Sequence, residues 1–202
     1  MLPLDNPNAT PGARMDDFTF DAITWALTVH EARPGHELQF ARMIEAGVSI
    51  PRAVFAFNSA NVEGWGLYAE AVMKPYLPLD GQLATLQMRL MRAARAFLDP
   101  MINLGQITPQ EAQRFLEQEV VLSEPMAKQE ADRYSFRAPG QATSYYYGYT
   151  RWMQLRSQAE MALGAKFDRL RYHDYILSQG LLPPDVLSKA VLTEFVAAEK
   201  VR

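Results

Sequence analysis

Apolar residues recur at helical spacing along most of the chain. From residue 18 onward they lie three or four positions apart, and no stretch alternates apolar and polar positions between hairpin turns. This pattern predicts an almost all-α protein. Residues 1–17 are rich in Pro and Asn and are predicted to form a loop-like segment. We therefore expect a single helical domain over residues 18–202.

Prolines, glycines and capping residues predict where the helices begin and end. Asn58 and Ser59 are good N-caps, and residues 108–111 (Thr-Pro-Gln-Glu) form a capping box with proline at the first helical position. The helix predicted over residues 81–98 is amphipathic. Its apolar stripe consists of Leu83, Leu86, Leu90 and Phe97. The predicted helices cover residues 18–33, 36–46, 58–74, 81–98, 108–121, 123–138, 141–163, 168–179 and 184–200.

Composition narrows the classes of function. The chain has 202 residues, 49% of them hydrophobic, which is enough for one sizeable core. The net charge of -3 and the lack of a Lys/Arg cluster argue against nucleic acid as a partner. The absence of cysteine excludes disulfides, thiolate zinc sites and a cysteine nucleophile. Any metal must therefore be held by histidines and carboxylates.

Targeting signals are not evident in the sequence. The first seventeen residues lack a basic region followed by an apolar core, and no apolar run approaches the ~20 residues that span a bilayer. We expect a soluble chain without a transmembrane segment, and the sequence leaves the cellular compartment unknown.

The stretch "TVHEARPGHELQF" contains the residue types of a zinc protease helix. In zincins, two histidines four apart bind zinc and the glutamate beside the first acts as general base, a role that Glu31 would fill. Here His30 and His36 are six apart, which places them on different faces of an unbroken helix. A break at Pro34-Gly35 could bring His36 back beside His30. Alternatively, Pro34-Gly35 is an ordinary helix stop between two structural histidines.

A third metal ligand is available on a later helix. Glu63 and Glu70 are seven apart in "NVEGWGLYAE" and share a face of an otherwise apolar segment. Because burying an unpaired carboxylate is expensive, Glu63 is a candidate ligand and Glu70 a candidate hydrogen-bond partner for a ligand histidine. The alternative is that both face solvent at the helix edge. Gly64 and Gly66 favour the metal interpretation, because they permit close approach of another element.

Other classes of site fit less well. No Glu-x-x-His motif supports a di-iron bundle, and no Gly-x-Ser-x-Gly elbow supports a serine hydrolase. Four tyrosines lie within residues 145–149, and a phenol in this run could stabilise an oxyanion, although most should pack in the core. Arg151 and Arg156 could bind a substrate carboxylate or pair with surface acids. His173 is either a structural histidine beside Asp174 or a site residue.

Together, the segments "HEARPGHELQ", "EGWGLYAE", "PGQATSYYYGY" and "YHDYILSQGLLP" resemble the bacterial domain-of-unknown-function 885 family, whose members look like zinc metallopeptidases of the gluzincin group. The resemblance implies a mostly helical, thermolysin-like or carboxypeptidase-like fold and a peptide substrate. It implies zinc ligands at His30, His36 and Glu63 and a general base at Glu31. It also implies a site tyrosine at Tyr145, with Gln141 and His173 as weaker matches.

The chain departs from the family pattern in three respects. Glu37 stands where the family often has a second histidine after Pro-Gly, which favours His36 as the ligand, and Asn103 occupies a position where many members carry histidine. The chain also resembles only the C-terminal part of longer members. The alternative function is therefore a catalytically incomplete helical fragment that acts as a metal-binding or protein-interaction module. Such a fragment could associate with itself or dock with a missing N-terminal region.

Overall fold

The computed structural model describes residues 20–202 together with Met15, Asp17 and Phe18. The loop-like segment predicted for residues 1–17 therefore lies almost entirely outside the described residues. The described residues form helices and no strand, which confirms the all-α class. The α-helices are α1 (Asp21–Glu31), α2 (His36–Glu45), α3 (Ile50–Phe55), α4 (Ser59–Met73), α5 (Leu79–Asn103), α6 (Pro109–Gln118), α7 (Glu124–Asp132), α8 (Thr143–Leu163), α9 (Arg169–Ser178), α10 (Pro184–Ala190) and α11 (Val196–Val201). None of these helices combines the length and the hydropathy needed to cross a bilayer.

Side-chain caps begin several helices where the sequence predicts them. The side chain of Asn58 accepts a hydrogen bond from the Asn61 amide at the start of α4. Thr108 and Glu111 form the complete capping box of α6, and Ser123 caps α7. These caps satisfy backbone N–H groups that have no partner within the first turn of a helix.

The predicted boundaries are wrong at several places. Helix α3 was not predicted, and α5 extends beyond the predicted 81–98 and continues through Pro100. Proline removes one backbone hydrogen bond from α5, but the preceding Asp99 is fully buried and accepts hydrogen bonds from the backbone before α8. Tertiary contacts therefore outweigh the local signal. Two π-helical turns, Arg133–Arg137 and Val191–Phe195, follow α7 and α10.

The described residues form two large hydrophobic clusters, and helices α4 and α8 pack against each other. One cluster joins α1, α5, α6 and α7, and Ile23, Met88 and Leu116 are among its buried members. The other joins α4 and α8 to the C-terminal helices around Trp65 and Trp152. Histidine and carboxylate side chains from α1, α2 and α4 lie close to one another.

The orientation of α5 differs from what its apolar stripe suggests. An apolar helix face normally packs against the core, but all four residues of the stripe are exposed, and Leu83 is 70% exposed. The opposite face of α5 is buried and includes Arg92, Arg95 and Asp99. The stripe therefore does not identify the core-facing side of this helix.

Candidate metal centre

A helix break between α1 and α2 brings the two histidines together. Helix α1 ends at Glu31 and α2 begins at His36, so residues 32–35 lie outside both helices. The His30 and His36 rings meet edge to face, with centroids 4.8 Å apart. The indole N–H of Trp65 donates to the carbonyl oxygens of Pro34 and Gly35, each at 3.0 Å, and holds the break against α4. The spacing of six residues is thus compatible with adjacent rings.

Gly35 permits this break because no side chain would fit at its position. A Cβ atom there would lie 1.8 Å from the carbonyl oxygen of His30 and 2.4 Å from that of Val29. The chain after Pro34 therefore passes directly against the last turn of α1. Any other residue would force the two segments apart and move His36.

Three donor atoms converge at one point. The Oε2 atom of Glu63 lies 3.8 Å from Nε2 of His30 and 3.7 Å from Nε2 of His36. One ligand atom from each of the three side chains lies within 4.8 Å of the others, and no other group of three such residues meets this spacing in the described part of the chain. In a tetrahedral zinc site with bonds of about 2.1 Å, ligand atoms lie about 3.4 Å apart. The two distances from Glu63 to the imidazoles are about 0.4 Å longer than this spacing, and the third pair of donor atoms lies within 4.8 Å, so the residue types suit zinc and the donor atoms would have to move closer together.

Close helix packing places Glu63 and His30 at this distance. A Cβ atom on Gly66 would lie 2.4 Å from Cε1 of His30, so the imidazole ring rests on the bare backbone of α4. On the other side of α4, a Cβ on Gly64 would lie 2.4 Å from the backbone of Gly148 in α8. The two glycines of α4 thus admit α1 and α8 to contact distance.

A buried carboxylate orients the first histidine. Oε1 of Glu70, which is 1% exposed, lies 2.7 Å from Nδ1 of His30. This arrangement is the one in which the imidazole donates from Nδ1 and keeps Nε2 available for a metal. Burial lowers the pKa of His30, but the carboxylates of Glu63 and Glu70 outweigh it and raise the pKa overall. Burial also works to raise the pKa of Glu70, and the nearby charge of Arg92 lowers it below its usual value.

The Glu63 carboxylate is likewise kept ionised and oriented. Burial would raise the pKa of Glu63, but the neighbouring imidazoles of His30 and His36 hold it far below its usual range. Its second oxygen, Oε1, lies 3.4 Å from the side-chain amide of Gln141. Arg133 in turn donates to Oε1 of Gln141. The structure therefore places Gln141 in a supporting position against Glu63.

Tyr145 is the member of the tyrosine run that reaches this cluster. Its ring stacks on that of His30, with centroids 6.5 Å apart and 21° between the planes. Its hydroxyl accepts a hydrogen bond of 3.2 Å from Arg133. Tyr146 and Tyr149 instead pack against each other, and Tyr147 is exposed.

The acidic and polar neighbours of the two histidines point elsewhere or remain open to solvent. Glu31, the predicted general base, is exposed at the end of α1 beside His30. Glu37 is exposed and pairs with Arg33. Gln39 is buried and donates to Asn61. His36 is thus the residue after the break that faces His30.

The remaining predicted site residues lie apart from the cluster of His30, His36 and Glu63. Arg151 pairs with Asp185, and Arg156 pairs with Glu160 at 2.7 Å. For both arginines the structure matches the alternative of pairing with acidic residues, and neither contacts the cluster.

His173 lines a cavity of about 510 Å³ between α2, α4 and α9. Its Nε2 atom lies 2.7 Å from the hydroxyl of Tyr68, and its ring also packs against Trp65. Burial lowers the pKa of His173 to about 4. Trp65 and Tyr68 project from the opposite side of α4 to Glu63 and Glu70. The position of His173 therefore suits a structural histidine better than a catalytic one.

Sequence reasoning missed the buried arginines of α5. Arg95 forms a two-pronged pair with Glu130, at 2.6 and 2.7 Å, and its guanidinium lies 4.8 Å from the ring centre of Tyr145. Arg92 lies 3.5 Å from Glu70. Arginines spaced three apart on an amphipathic helix are usually solvated, so no local signal distinguishes these from surface residues.

Comparisons with known proteins agree with the motifs. A family model described as "Bacterial protein of unknown function (DUF885)" matches residues 8–191. A solved structure described as a "putative lipoprotein" from Colwellia psychrerythraea is 34% identical, with a TM-score of 0.79 over 86% of this chain and 30% of its own. A second, a "putative lipoprotein of unknown function" from Shewanella oneidensis, is 27% identical, with the same TM-score over 86% of this chain and 32% of its own. The chain thus spans about a third of the length of these two relatives. No curated protein matches it.

Proposed function

The chain belongs to the bacterial family of proteins of unknown function DUF885, and we propose that it is the catalytic region of a zinc-dependent peptidase with a gluzincin-like ligand set. The convergence of His30, His36 and Glu63 carries this proposal. Two neutral imidazoles and one carboxylate form a donor set typical of catalytic zinc, which keeps a further coordination position open for water or substrate. The buried Glu70 behind His30 supports it, because ligand histidines usually donate their other N–H to a carboxylate.

The residues around the three ligands suit hydrolysis of a peptide bond. A bound zinc ion would supply a Lewis acid that activates water and polarises the scissile carbonyl. Glu31 follows His30 directly and is open to solvent, so its carboxylate can take the proton of the attacking water and pass it to the leaving amine. The ring of Tyr145 stacks on that of His30, and its hydroxyl can donate a hydrogen bond to the oxyanion that forms.

Measured zinc content tests the ligand assignment. We expect about one equivalent of zinc in purified protein and in dialysed, reloaded protein. His36→Ala should weaken zinc binding by more than the roughly 10–100-fold expected for Glu70→Gln, which removes only a supporting hydrogen bond. His173→Ala is the matched control, because it removes the one histidine outside the cluster and should leave the zinc content unchanged. Equal zinc content in the His36 and His173 variants would contradict the assignment.

Peptide hydrolysis tests the catalytic assignment separately. Glu31→Gln should retain zinc while hydrolysis of a mixed peptide library falls by about 10²–10⁴-fold, the usual contribution of a general base. Glu37→Gln alters a neighbouring exposed glutamate on the same break and should leave the rate unchanged. Full activity in the Glu31 variant would remove Glu31 from the mechanism.

A second candidate function rests on the exposed stripe of α5. Leu83, Leu86 and Leu90 are between 44% and 70% exposed and lie on one helix face, and contiguous exposed apolar surface often marks a protein contact. The chain would then be a metal-binding interaction module without turnover. Zinc binding with no hydrolysis of any library peptide, together with self-association abolished by Leu83→Gln/Leu90→Gln, would favour this candidate over the peptidase.

A further inference from the structure

Four arginine side chains gather beside the proposed zinc ligands. Arg89, Arg92 and Arg95 come from α5, and Arg133 comes from the π-helical turn after α7. Arg95 and Arg133 flank the ring of Tyr145, at 4.8 and 5.4 Å from its centre. Arg89 lies 5.0 Å above the ring of Tyr149, one turn further along α8. The arginines thus line the same face of α8 that approaches His30.

Two of the four guanidinium groups are well paired. Arg95 donates to both oxygens of Glu130. Arg133 donates to Gln141 and to Tyr145, and its other amino group lies 3.8 Å from Glu130. These contacts account for the positions of both side chains.

Arg89 and Arg92 have buried N–H groups without a hydrogen-bond partner among the described residues. Arg92 is 5% exposed, and its Nε and Nη1 atoms have no hydrogen-bond partner among the described residues. The Nε and Nη2 atoms of Arg89 are also buried without a partner. The carboxylate beside Arg92 is Glu70, at 3.5 Å, and the same Glu70 oxygen already bonds His30. The second oxygen of Glu70 has no hydrogen-bond partner either, so Glu70 as placed does not satisfy the free donors of the two arginines.

The charges around this face do not balance. Four guanidinium groups meet two carboxylates, Glu70 and Glu130, since Glu63 lies against the histidines and Asp99 is bound by backbone amides. A buried cation without a counter-ion is destabilising. A planar guanidinium with free N–H groups is also the side chain best suited to a carboxylate, which it binds through parallel hydrogen bonds. The free donors of Arg89 and Arg92 are therefore suited to an anionic ligand.

We propose that Arg89 and Arg92 bind a carboxylate of the peptide substrate, on the Tyr145–Tyr149 side of the zinc ligands. This inference rests on the proposed peptidase function and specifies its substrate as a peptide that carries a carboxylate near the scissile bond. Arg89 is only partly buried, so the substrate would enter from its side. The carboxylate is either the C-terminus of the peptide or an acidic side chain, and both present the same chemistry to the two arginines.

Peptide binding to the non-hydrolysing Glu31→Gln protein tests the proposal by calorimetry. The probes are acetyl-trialanine with a free C-terminus, its C-terminal amide, and acetyl-Ala-Glu-Ala amide. The neutral amide should bind at least about tenfold more weakly than the best carboxylate peptide. Preference for the free acid identifies the C-terminus as the source, and preference for the glutamyl amide identifies the side chain. Equal binding of all three peptides would overturn the proposal.

Substitutions locate the effect at the two arginines. Arg92→Gln and Arg89→Gln, each in the Glu31→Gln background, should both reduce the preference for carboxylate peptides. Arg52→Gln, at an exposed arginine of α3, is the matched control and should leave it intact. If Arg92→Gln unfolds the protein, as circular dichroism would reveal, the more exposed Arg89 still supplies the test. A preference that survives Arg89→Gln in folded protein would place the carboxylate elsewhere.

The outcome can be separated from failure of the peptidase proposal. Peptide binding is measured both with zinc-loaded and with metal-free protein. Carboxylate preference in a protein that binds no zinc would retain the anion site and reject the zinc assignment. One equivalent of zinc without a preference for carboxylate peptides would retain the zinc assignment and reject the anion site.

Discussion

The outward face of α5 is apolar and exposed, whereas in most amphipathic helices the apolar face is the buried one. The outward face presents leucines to solvent, and the inward face buries Arg92, Arg95 and Asp99 among apolar residues such as Leu98. Arg95 is bound by Glu130, and Asp99 is bound by backbone amides near α8. The comparison shows that pairing lets charged residues share a buried face with apolar ones, and that hydrophobicity alone does not orient a helix beside a polar site.

The largest loss of stability is expected from breaking the buried ion pair between Arg95 and Glu130. Arg95→Leu leaves Glu130 buried without its counter-ion, which should lower the free energy of unfolding by about 3–5 kcal/mol in urea titrations. Adding Glu130→Leu should restore part of this loss, because the uncompensated charge is removed. Arg52→Leu at an exposed position should change stability by less than about 0.5 kcal/mol. A loss below about 1 kcal/mol for Arg95→Leu would show that the pair is not buried as described.

A smaller loss of stability is expected from changing Asp99, near the end of the buried face of α5. Asp99 accepts hydrogen bonds from the amides of Gly140 and Ala142 and from Asn103. Asp99→Asn keeps one side-chain oxygen as an acceptor and replaces the other with an amino group that faces a backbone N–H. The free energy of unfolding should therefore fall by about 1–3 kcal/mol.

The control for Asp99 is Asp80→Asn. Asp80 is exposed at the start of α5 and bonds only the adjacent amide of Gly81 among the described residues. Hydrogen exchange should also show faster opening at residues 140–142 in the Asp99 variant. Unchanged exchange there would mean that Asp99 does not hold the segment that carries Gln141.

The outward face should show the smallest change in stability. Leu83 is 70% exposed, so Leu83→Ala should alter the free energy of unfolding by less than about 0.5 kcal/mol. Leu98→Ala is the matched inward substitution at a residue 2% exposed, and it should cost about 2–5 kcal/mol. Similar losses at the two positions, measured at low protein concentration, would mean that the leucine stripe is covered in solution.

Much of the candidate site was predictable because its signals are local. Pro34-Gly35 interrupts a helix for steric reasons, and a helix period places Glu63 and Glu70 on one face whatever surrounds them. Gly64 and Gly66 likewise indicate close approach before any partner is known. The assignment of zinc to this cluster and the catalytic roles remain predictions.

The positions of the arginines were not predictable in this way. The sequence left Arg151 and Arg156 either to a substrate carboxylate or to surface acids, and they pair with Asp185 and Glu160. The buried Arg89 and Arg92 were overlooked. A guanidinium on a long flexible side chain finds its partner among residues that are distant in the chain. Helical periodicity contains no information about that choice.

By itself, the sequence determined the helical class, most helix boundaries, a helix break at Pro34-Gly35 and the shared face of Glu63 and Glu70. Each follows from backbone sterics, capping or helix geometry, which act over a few residues. Only the tertiary structure decided which tyrosine faces His30, which side of α5 is buried, and that His173 lies across α4 from Glu63 and Glu70. These outcomes depend on ion pairs and packing between helices far apart in the chain, where the free energy of a contact is set by its partner.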